Sequence, residues 1–207
     1  ARSHELAEKA RLDGTLGEEI VPVTVKGRKG DTVVDADEAI RPEVSAESLS
    51  KLRAIGGDDA THTAGNAPGV NDGAGALVLA SEEWAEANGQ EALGTIIAYG
   101  QIGDEYACLP KTPALAALAA LEKVGKTPAD VDIWEVNEAF ASVSLNTIKM
   151  LDLDEDKVNV NGGAVALGHP IGASGARVIG VVVRELQRRG GGLGCAACHP
   201  DGRDDGY

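Results

Sequence analysis

Aromatic residues are scarce: two Trp, three Tyr and one Phe make up 3% of the 207 residues. An interior must therefore be built from Ala, Val, Leu and Ile, and at 43% hydrophobic residues the chain has enough of them. Basic charge is also short, with 19 Lys and Arg against 33 Asp and Glu, a net charge of −14. That balance argues against a nucleic-acid binder, which must neutralise phosphates with cations. It leaves room for a local basic pocket around one anionic ligand. No apolar run approaches the roughly 18 residues of a membrane span, and no secretory leader pattern is visible. The cysteines, Cys108, Cys195 and Cys198, are few and odd in number. This argues against a disulfide framework and for a reducing, cytoplasmic setting. Cys195 and Cys198 form C-x-x-C, but no second pair exists and the only nearby histidine is His199. A metal site is therefore not expected. Methionine occurs only at Met150, and the chain opens at Ala1 on an amphipathic pattern, Arg2 to Leu12, with no cap before it. A portion of a longer protein would read this way, as would a chain that had lost its initiator.

Glycine, by contrast, is abundant, at 27 residues. It implies tight turns and close backbone approaches. Along the chain, a helix near 3–12 leads to a strand at about 20–25. A charged loop follows over 26–41, then a short helix at 46–52 and an irregular loop at 56–71. GAGALVLA, 73–80, is a continuous apolar run of the kind seen in a buried strand. Ser81 is the N-cap of a helix that ends at Asn88-Gly89. Strands are expected at 94–100, 131–137, 158–163 (or a turn there) and 192–198. Helices are expected at 112–124, 138–150 and 173–187. Strand and helix alternate, so the fold class is α/β with a layered sheet. The last residues, HPDGRDDGY, contain no apolar residue except Tyr207.

Three segments are dense enough to carry chemistry. The first is NVNGGAVALGHPIGASGAR, Asn159 to Arg177. His169 sits there between Gly168 and Pro170, a rigid loop position. A lone histidine serves either as a hydrogen-bonded structural residue or as a proton carrier and oxyanion donor. Its place on a loop favours function. The second is WEVNEAF, with Asn137 at a strand-to-helix junction. Asn137 either N-caps the following helix or orients a water or carbonyl with its amide. The third is TAGNAPGVNDGAGALVL, 63–79, a loop feeding a strand. It is either a structural turn held by Asn66, Asn71 and Asp72 or a surface for a thin, extended ligand.

Together the three segments resemble the thiolase family, in its acetyl-CoA acetyltransferase branch. They occur in the family's order and spacing, and the resemblance runs from about Ala1 to Ala197. It implies a layered fold of βαβαβαββ halves, with a mixed sheet and helices on both faces, plus an inserted CoA-binding loop domain. On that pattern residues 1–70 are the end of the loop domain. Residues 71–91 return to the N-terminal half, 92–198 form the C-terminal half, and 199–207 are an atypical tail. The implied chemistry is ping-pong acyl transfer between acyl-CoA and CoA or acetyl-CoA. Two acetyl-CoA give acetoacetyl-CoA and CoA, or the reverse thiolysis occurs. CoA is a substrate, and no cofactor or metal is implied. His169 would help deprotonate the nucleophile and donate to the thioester oxygen. Asn137 would hold a water completing that oxyanion hole, and Cys198 would act as acid/base. Arg41 and Ser48 would contact CoA, and Ala64 and Ala67 would line the pantetheine channel.

The match has departures. Pro68 replaces the family's serine after TAGNA. The nucleophilic cysteine's segment is missing, and Cys108, in ACLP, lies in a different motif. Cys198 comes one residue early and is followed by His199-Pro200-Asp201 instead of a glycine-rich hairpin. The expected partners are therefore acyl-CoA or CoA, further copies of the chain (dimer or tetramer), or a chain supplying the N-terminal half. No nucleic acid or membrane is expected. The alternative is a non-catalytic acyl-CoA-binding subunit or an inactive fragment.

Overall fold

The architecture is seen in a computed structural model, which describes residues 1–57 and 59–198. The expected tail, 199–207, lies outside the described residues. Two short ladders anchor the strands. One is an antiparallel pair, β1 (Val23–Val25) with β2 (Thr32–Val34). The other is a parallel pair, β3 (Ile133–Val136) with β4 (Gly194–Ala197). β2 falls inside the stretch expected to be a charged loop. Its Thr-Val-Val is β-branched throughout, a strand preference that the flanking charges concealed.

β3 is buried along its whole length, the signature of a parallel strand covered on both faces. Its side chains alternate. Trp134 and Val136 join a core with Ala114, Ala117 and Leu121 of α4 (Thr112–Lys123) and Val143 of α5 (Ala141–Leu151). Glu135 faces the other way, onto a cavity lined by Arg177 and Val178 of α7 (Ile171–Arg189). Period two therefore sends Asn137 to the α7 side as well.

Asn159 extends the sheet where no strand lies. Its backbone N–H donates to the Trp134 carbonyl at 2.9 Å. Its side-chain Oδ1 accepts from Val136 N–H at 2.7 Å, and its Nδ2 donates to the Val136 carbonyl at 2.9 Å. One amide side chain thus replaces a whole neighbouring residue in the ladder. It does so at φ 48°, a left-handed conformation that Asn tolerates better than most residues.

The first helix, α1 (Arg2–Leu12), is tied to this frame. Arg2 Nη1 donates to the Val158 carbonyl at 3.1 Å. Ala7 lies against Gly162, where φ is 84° and an added Cβ would meet Ala7 and the Ser3 carbonyl. α2 (Ala46–Ser50) and α3 (Glu82–Ala87) form where expected. The Ser81 hydroxyl caps α3, accepting from Trp84 N–H at 3.2 Å.

Two expected strands do not form ladders. Residues 73–80 and 94–100 pair with nothing among the described residues. Far from being buried, Val78 is 94% exposed and Leu79 73%, and Ile96, Ile97 and Tyr99 are exposed too. Both segments do reach the helices. Gly75 lies against Ala173 and Ala176 of α7, and a Cβ on Gly100 would collide with the backbone of Ala116 and Ala120 in α4. The apolar run 73–80, expected to be a buried strand, is neither buried nor a strand, because no described strand lies beside it. No described helix is long and apolar enough to cross a membrane.

Candidate functional site

The Gly-rich segment folds as a short helix, α6 (Ala164–Leu167), a break at Gly168, and then α7. α7 starts two residues before the expected 173, because Pro170 takes the N-cap position and the glycines at 172 and 175 lie inside the helix. His169 is held in the break from several sides. Its backbone N–H donates to Asn71 Oδ1 at 3.2 Å, and Val70 forms a parallel bridge to it. Arg177 Nη1 donates to the Gly168 carbonyl at 3.1 Å. An added Cβ on Gly168, at φ 85°, would strike the Asn71 amide, so the position needs glycine.

The imidazole is oriented at both nitrogens. Nδ1 lies 2.6 Å from Ser174 Oγ, and that hydroxyl donates its one proton to the Pro170 carbonyl at 3.1 Å. In the tautomer that matches this direction, Nδ1 carries the proton and donates to Ser174. Nε2 is then the ring's lone-pair nitrogen, and it sits 3.3 Å from Asn137 Nδ2. The structure thus brings together His169 and Asn137, which are 32 residues apart in the chain.

Asn137 is not a helix N-cap. α5 begins at Ala141, with Phe140 at its N-cap. The residues between carry a division of labour within NEAF. Asn137 turns to the histidine, with its own N–H bonded to the Ala197 carbonyl at 2.9 Å. Glu138 is buried and braces the scaffold. Its Oε2 accepts from Ser3 Oγ at 2.8 Å and from Val165 N–H at 2.9 Å, the latter in the first turn of α6. There the carboxylate also meets the positive end of a short helix. Phe140 stacks on His62, with ring centroids 4.5 Å apart.

Cys198 follows Ala197, whose carbonyl receives the Asn137 N–H, so it sits at the same end of the β3–β4 ladder as Asn137. Cys195 pairs in register with Trp134, and burial pushes its thiol up to about 11. At neutral pH it is a packed thiol, not a thiolate ligand or nucleophile. Among the described residues no group of His, Cys, Asp and Glu is arranged to hold a metal ion.

The residues expected at CoA are more scattered. The Arg41 side chain is exposed, and its backbone N–H donates to His4 Nδ1 at 3.1 Å. Ser48 Oγ is engaged in capping α2, accepting from Ser45 N–H at 3.0 Å and donating to the Ser45 carbonyl at 2.9 Å. Ala64 is exposed and Ala67 half-buried. A cleft of about 350 Å³ separates α2 from the 61–66 loop, lined by Leu49, Leu52, Thr63 and Gly65 among others. Arg41, Ser48, Ala64 and Ala67 are not on its walls, although Ser48 and Ala64 belong to the two elements that form it. Sequence reasoning missed Asn71 and Ser174 as supports of His169. Asn71 was read as a turn residue, and a serine five residues beyond a histidine has no pattern of its own.

The chain matches the models of two family domains: "Thiolase, N-terminal domain" over residues 1–83 and "Thiolase, C-terminal domain" over residues 90–206. It is 46% identical over 200 residues to a beta-ketoadipyl-CoA thiolase of Pseudomonas knackmussii, covering 95% of this chain and 50% of that protein. It is 45% identical over 207 residues to an acetyl-CoA acetyltransferase of Shinella zoogloeoides, covering 95% of this chain and 53% of that one. The fold superposes on the crystal structure of the Bacillus anthracis acetyl-CoA acetyltransferase with a TM-score of 0.90 at 44% identity, over 96% of this chain and 50% of that chain. A human mitochondrial 3-ketoacyl-CoA thiolase in complex with CoA matches with a TM-score of 0.84 at 35% identity, over 96% of this chain and 49% of that chain. The chain thus spans about half the length of the curated relatives it matches, and it belongs to the thiolase family.

Proposed function

We propose that this chain supplies the His169–Asn137 half of a thiolase active site, and that the nucleophilic cysteine comes from an N-terminal portion outside these 207 residues. The assembled enzyme exchanges acyl groups between acyl-CoA and CoA or acetyl-CoA. It condenses two acetyl-CoA to acetoacetyl-CoA and CoA, or runs the thiolysis. The observation that carries this reading is the 3.3 Å contact between Asn137 Nδ2 and His169 Nε2. A lone-pair Nε2 accepts the proton of an attacking thiol. Once protonated, it becomes a donor to the thioester oxygen. The Asn137 amide beside it holds a water that supplies the second donor. Fixed donors at a developing oxyanion are each worth about 3 kcal/mol.

Cys198, at the Asn137 end of the ladder, is the candidate acid/base at the acetyl α-carbon. CoA is the substrate: Arg41 and Ser48 would contact it and Ala64 and Ala67 would line its pantetheine channel, although none of the four lies on the walls of the cleft between α2 and the 61–66 loop. Residues 1–70 then act as part of the CoA-binding loop domain, 71–91 as the last part of the N-terminal half, and 92–198 as the C-terminal half. The apolar segments 73–80 and 94–100, exposed and in no ladder among the described residues, favour an occupant that adds strands, as the proposed N-terminal portion would. Further self-association and a cytoplasmic setting accord with this reading.

The test is acetoacetyl-CoA thiolysis with added CoA. The chain alone should not turn over. Mixed or co-expressed with the N-terminal portion of an acetyl-CoA acetyltransferase, it should, and Asn137→Ala should lower kcat by about 10²–10³. An assembled enzyme indifferent to Asn137→Ala and His169→Asn would overturn the assignment. Turnover by the chain alone, blocked by a thiol reagent, would move the nucleophile to one of its own cysteines.

A further inference from the structure

Beneath the His169–Asn137 pair lies a buried carboxyl that the proposed chemistry does not use. Glu135 is two residues before Asn137 on the same face of β3, and it is 5% exposed. Its Oε2 is buried with no hydrogen-bond partner among the described residues. It lines a cavity of about 40 Å³ whose walls include Asn137, Asn161, Gly168, Ser174 and Arg177. A volume of this size takes about two to three waters, and water enters only where polar groups meet it. Here they do. Ser174, which lines the cavity, donates to Pro170 and in the Nδ1-protonated tautomer accepts from His169, which leaves its hydroxyl one further lone pair. Asn161 donates through Nδ2 to Glu185 Oε2 at 3.3 Å, leaving its carbonyl oxygen to accept. The cavity thus contains acceptors and, on its floor, a carboxyl without a partner.

We propose that Glu135 is a positioning residue for His169: as a hydrogen-bond donor it orders water in this cavity, and that water holds the Ser174 hydroxyl in the orientation that fixes the imidazole tautomer. The electrostatics agree with the geometry. Burial pushes the Glu135 carboxyl well above the usual carboxylate range, and the nearby negative charges of Glu138, Glu19 and Glu185 push the same way. Only the Arg177 guanidinium opposes them. A carboxyl so placed keeps its proton to higher pH than an ordinary carboxylate, and in that form it donates. A proton on Glu135 gives the β3 side of the cavity a donor, opposite the Arg177 guanidinium on the α7 side. Removing it would leave Ser174 free to turn its proton toward Nδ1, which would move the ring proton to Nε2 and abolish the lone pair facing Asn137.

The experiment reads the ring directly and does not need acyl transfer, so its failure would leave the proposed function standing. The ring nitrogens of His169 are observed by 15N NMR in the purified chain, assigned by their loss in His169→Asn. Wild type and Glu135→Gln, which keeps a donor, should show the Nδ1-protonated form. Glu135→Leu, of similar volume but without polar atoms, and Ser174→Ala should both shift the nitrogens toward interconverting tautomers. Wild-type shifts in Glu135→Leu, or in Ser174→Ala, would overturn the proposal.

A second measurement decides the matter if Glu135→Leu does not fold. A carboxyl whose folded value is raised contributes stability that is complete below its unfolded value and is lost as pH rises through its folded value. As pH rises above the ordinary carboxylate range, the melting temperature of wild type should therefore fall relative to Glu135→Gln. Parallel curves would mean that Glu135 is not a protonated donor, and would overturn the inference.

Discussion

Replacing Asn159 with alanine should be the most damaging single change outside the site itself. The side chain is 1% exposed, and it satisfies both the N–H and the carbonyl of Val136, at 2.7 and 2.9 Å. Alanine orphans both groups inside the protein, where no water reaches them. Each orphan costs about 1–3 kcal/mol, which puts the loss at about 2–6 kcal/mol. The backbone adds to this, because φ is 48° and an ordinary residue held left-handed costs about 1–2 kcal/mol. Against a domain stability of about 5–15 kcal/mol, that is a large fraction. Asn159→Gly separates the two contributions. It loses the same hydrogen bonds without the left-handed penalty, so it should be more stable than Asn159→Ala by about 1 kcal/mol. Urea unfolding followed by the fluorescence of the buried Trp134 measures both. A loss below about 1 kcal/mol in Asn159→Ala would show that the paired bonds do not sustain β3 as argued. A glycine variant weaker than the alanine one would show that the backbone conformation is not held in the left-handed region.

Other consequences are equally direct. Cys195, with its thiol raised to about 11, has about one thiolate in a thousand at about pH 8. It should stay unalkylated by iodoacetamide in the native chain and react in urea, as read by peptide mass spectrometry. Native labelling at Cys195, which is half-buried, would contradict its raised thiol. Gly175 lies exposed inside α7, where a Cβ meets nothing within 4 Å. Gly175→Ala should therefore raise stability by about 0.5–1 kcal/mol in denaturant titrations, and a loss would mean that the helix is not formed there. His4 accepts from Arg41 N–H, and burial, then the positive charges of the N-terminus and Arg41, hold its pKa down. A neutral acceptor lost on protonation contributes above its unfolded value, so the docking of α1 should weaken as pH falls below about 6.5. His4→Asn should flatten that dependence in pH-resolved thermal melts, and an unchanged slope would remove His4 from the account.

The parts of the fold legible in the sequence are those that short-range chemistry decides. Ser81 caps α3 because a hydroxyl can reach the N–H groups of its own first turn, and Asn88-Gly89 ends that helix for an equally local reason. The Ala/Leu pattern of α4 and the strand expected at 131–137 were visible for similar reasons. β2 was not, because three β-branched residues among charges make too short a signal. The start of α5 was misplaced because NEAF looks helical by composition. Its residues are instead drawn apart by long-range bonds, Asn137 to His169 and Glu138 to Ser3 and Val165. The apolar segment 73–80 was expected to be a buried strand and is exposed instead, because cover depends on a neighbour, and no neighbour is encoded in the segment.

For the site, the sequence alone determined the residue types and their loops. A histidine locked between glycine and proline, an asparagine at the end of a buried strand and a glycine-rich turn carry their meaning locally, in allowed backbone angles and side-chain chemistry. Only the tertiary structure decided that His169 Nε2 meets Asn137, that Ser174 and Asn71 hold the ring and loop in place, and that Glu135 faces a cavity instead of a partner. Those facts depend on where α7 crosses β3. That crossing is set by the packing of residues far apart in the chain, and no local pattern records it.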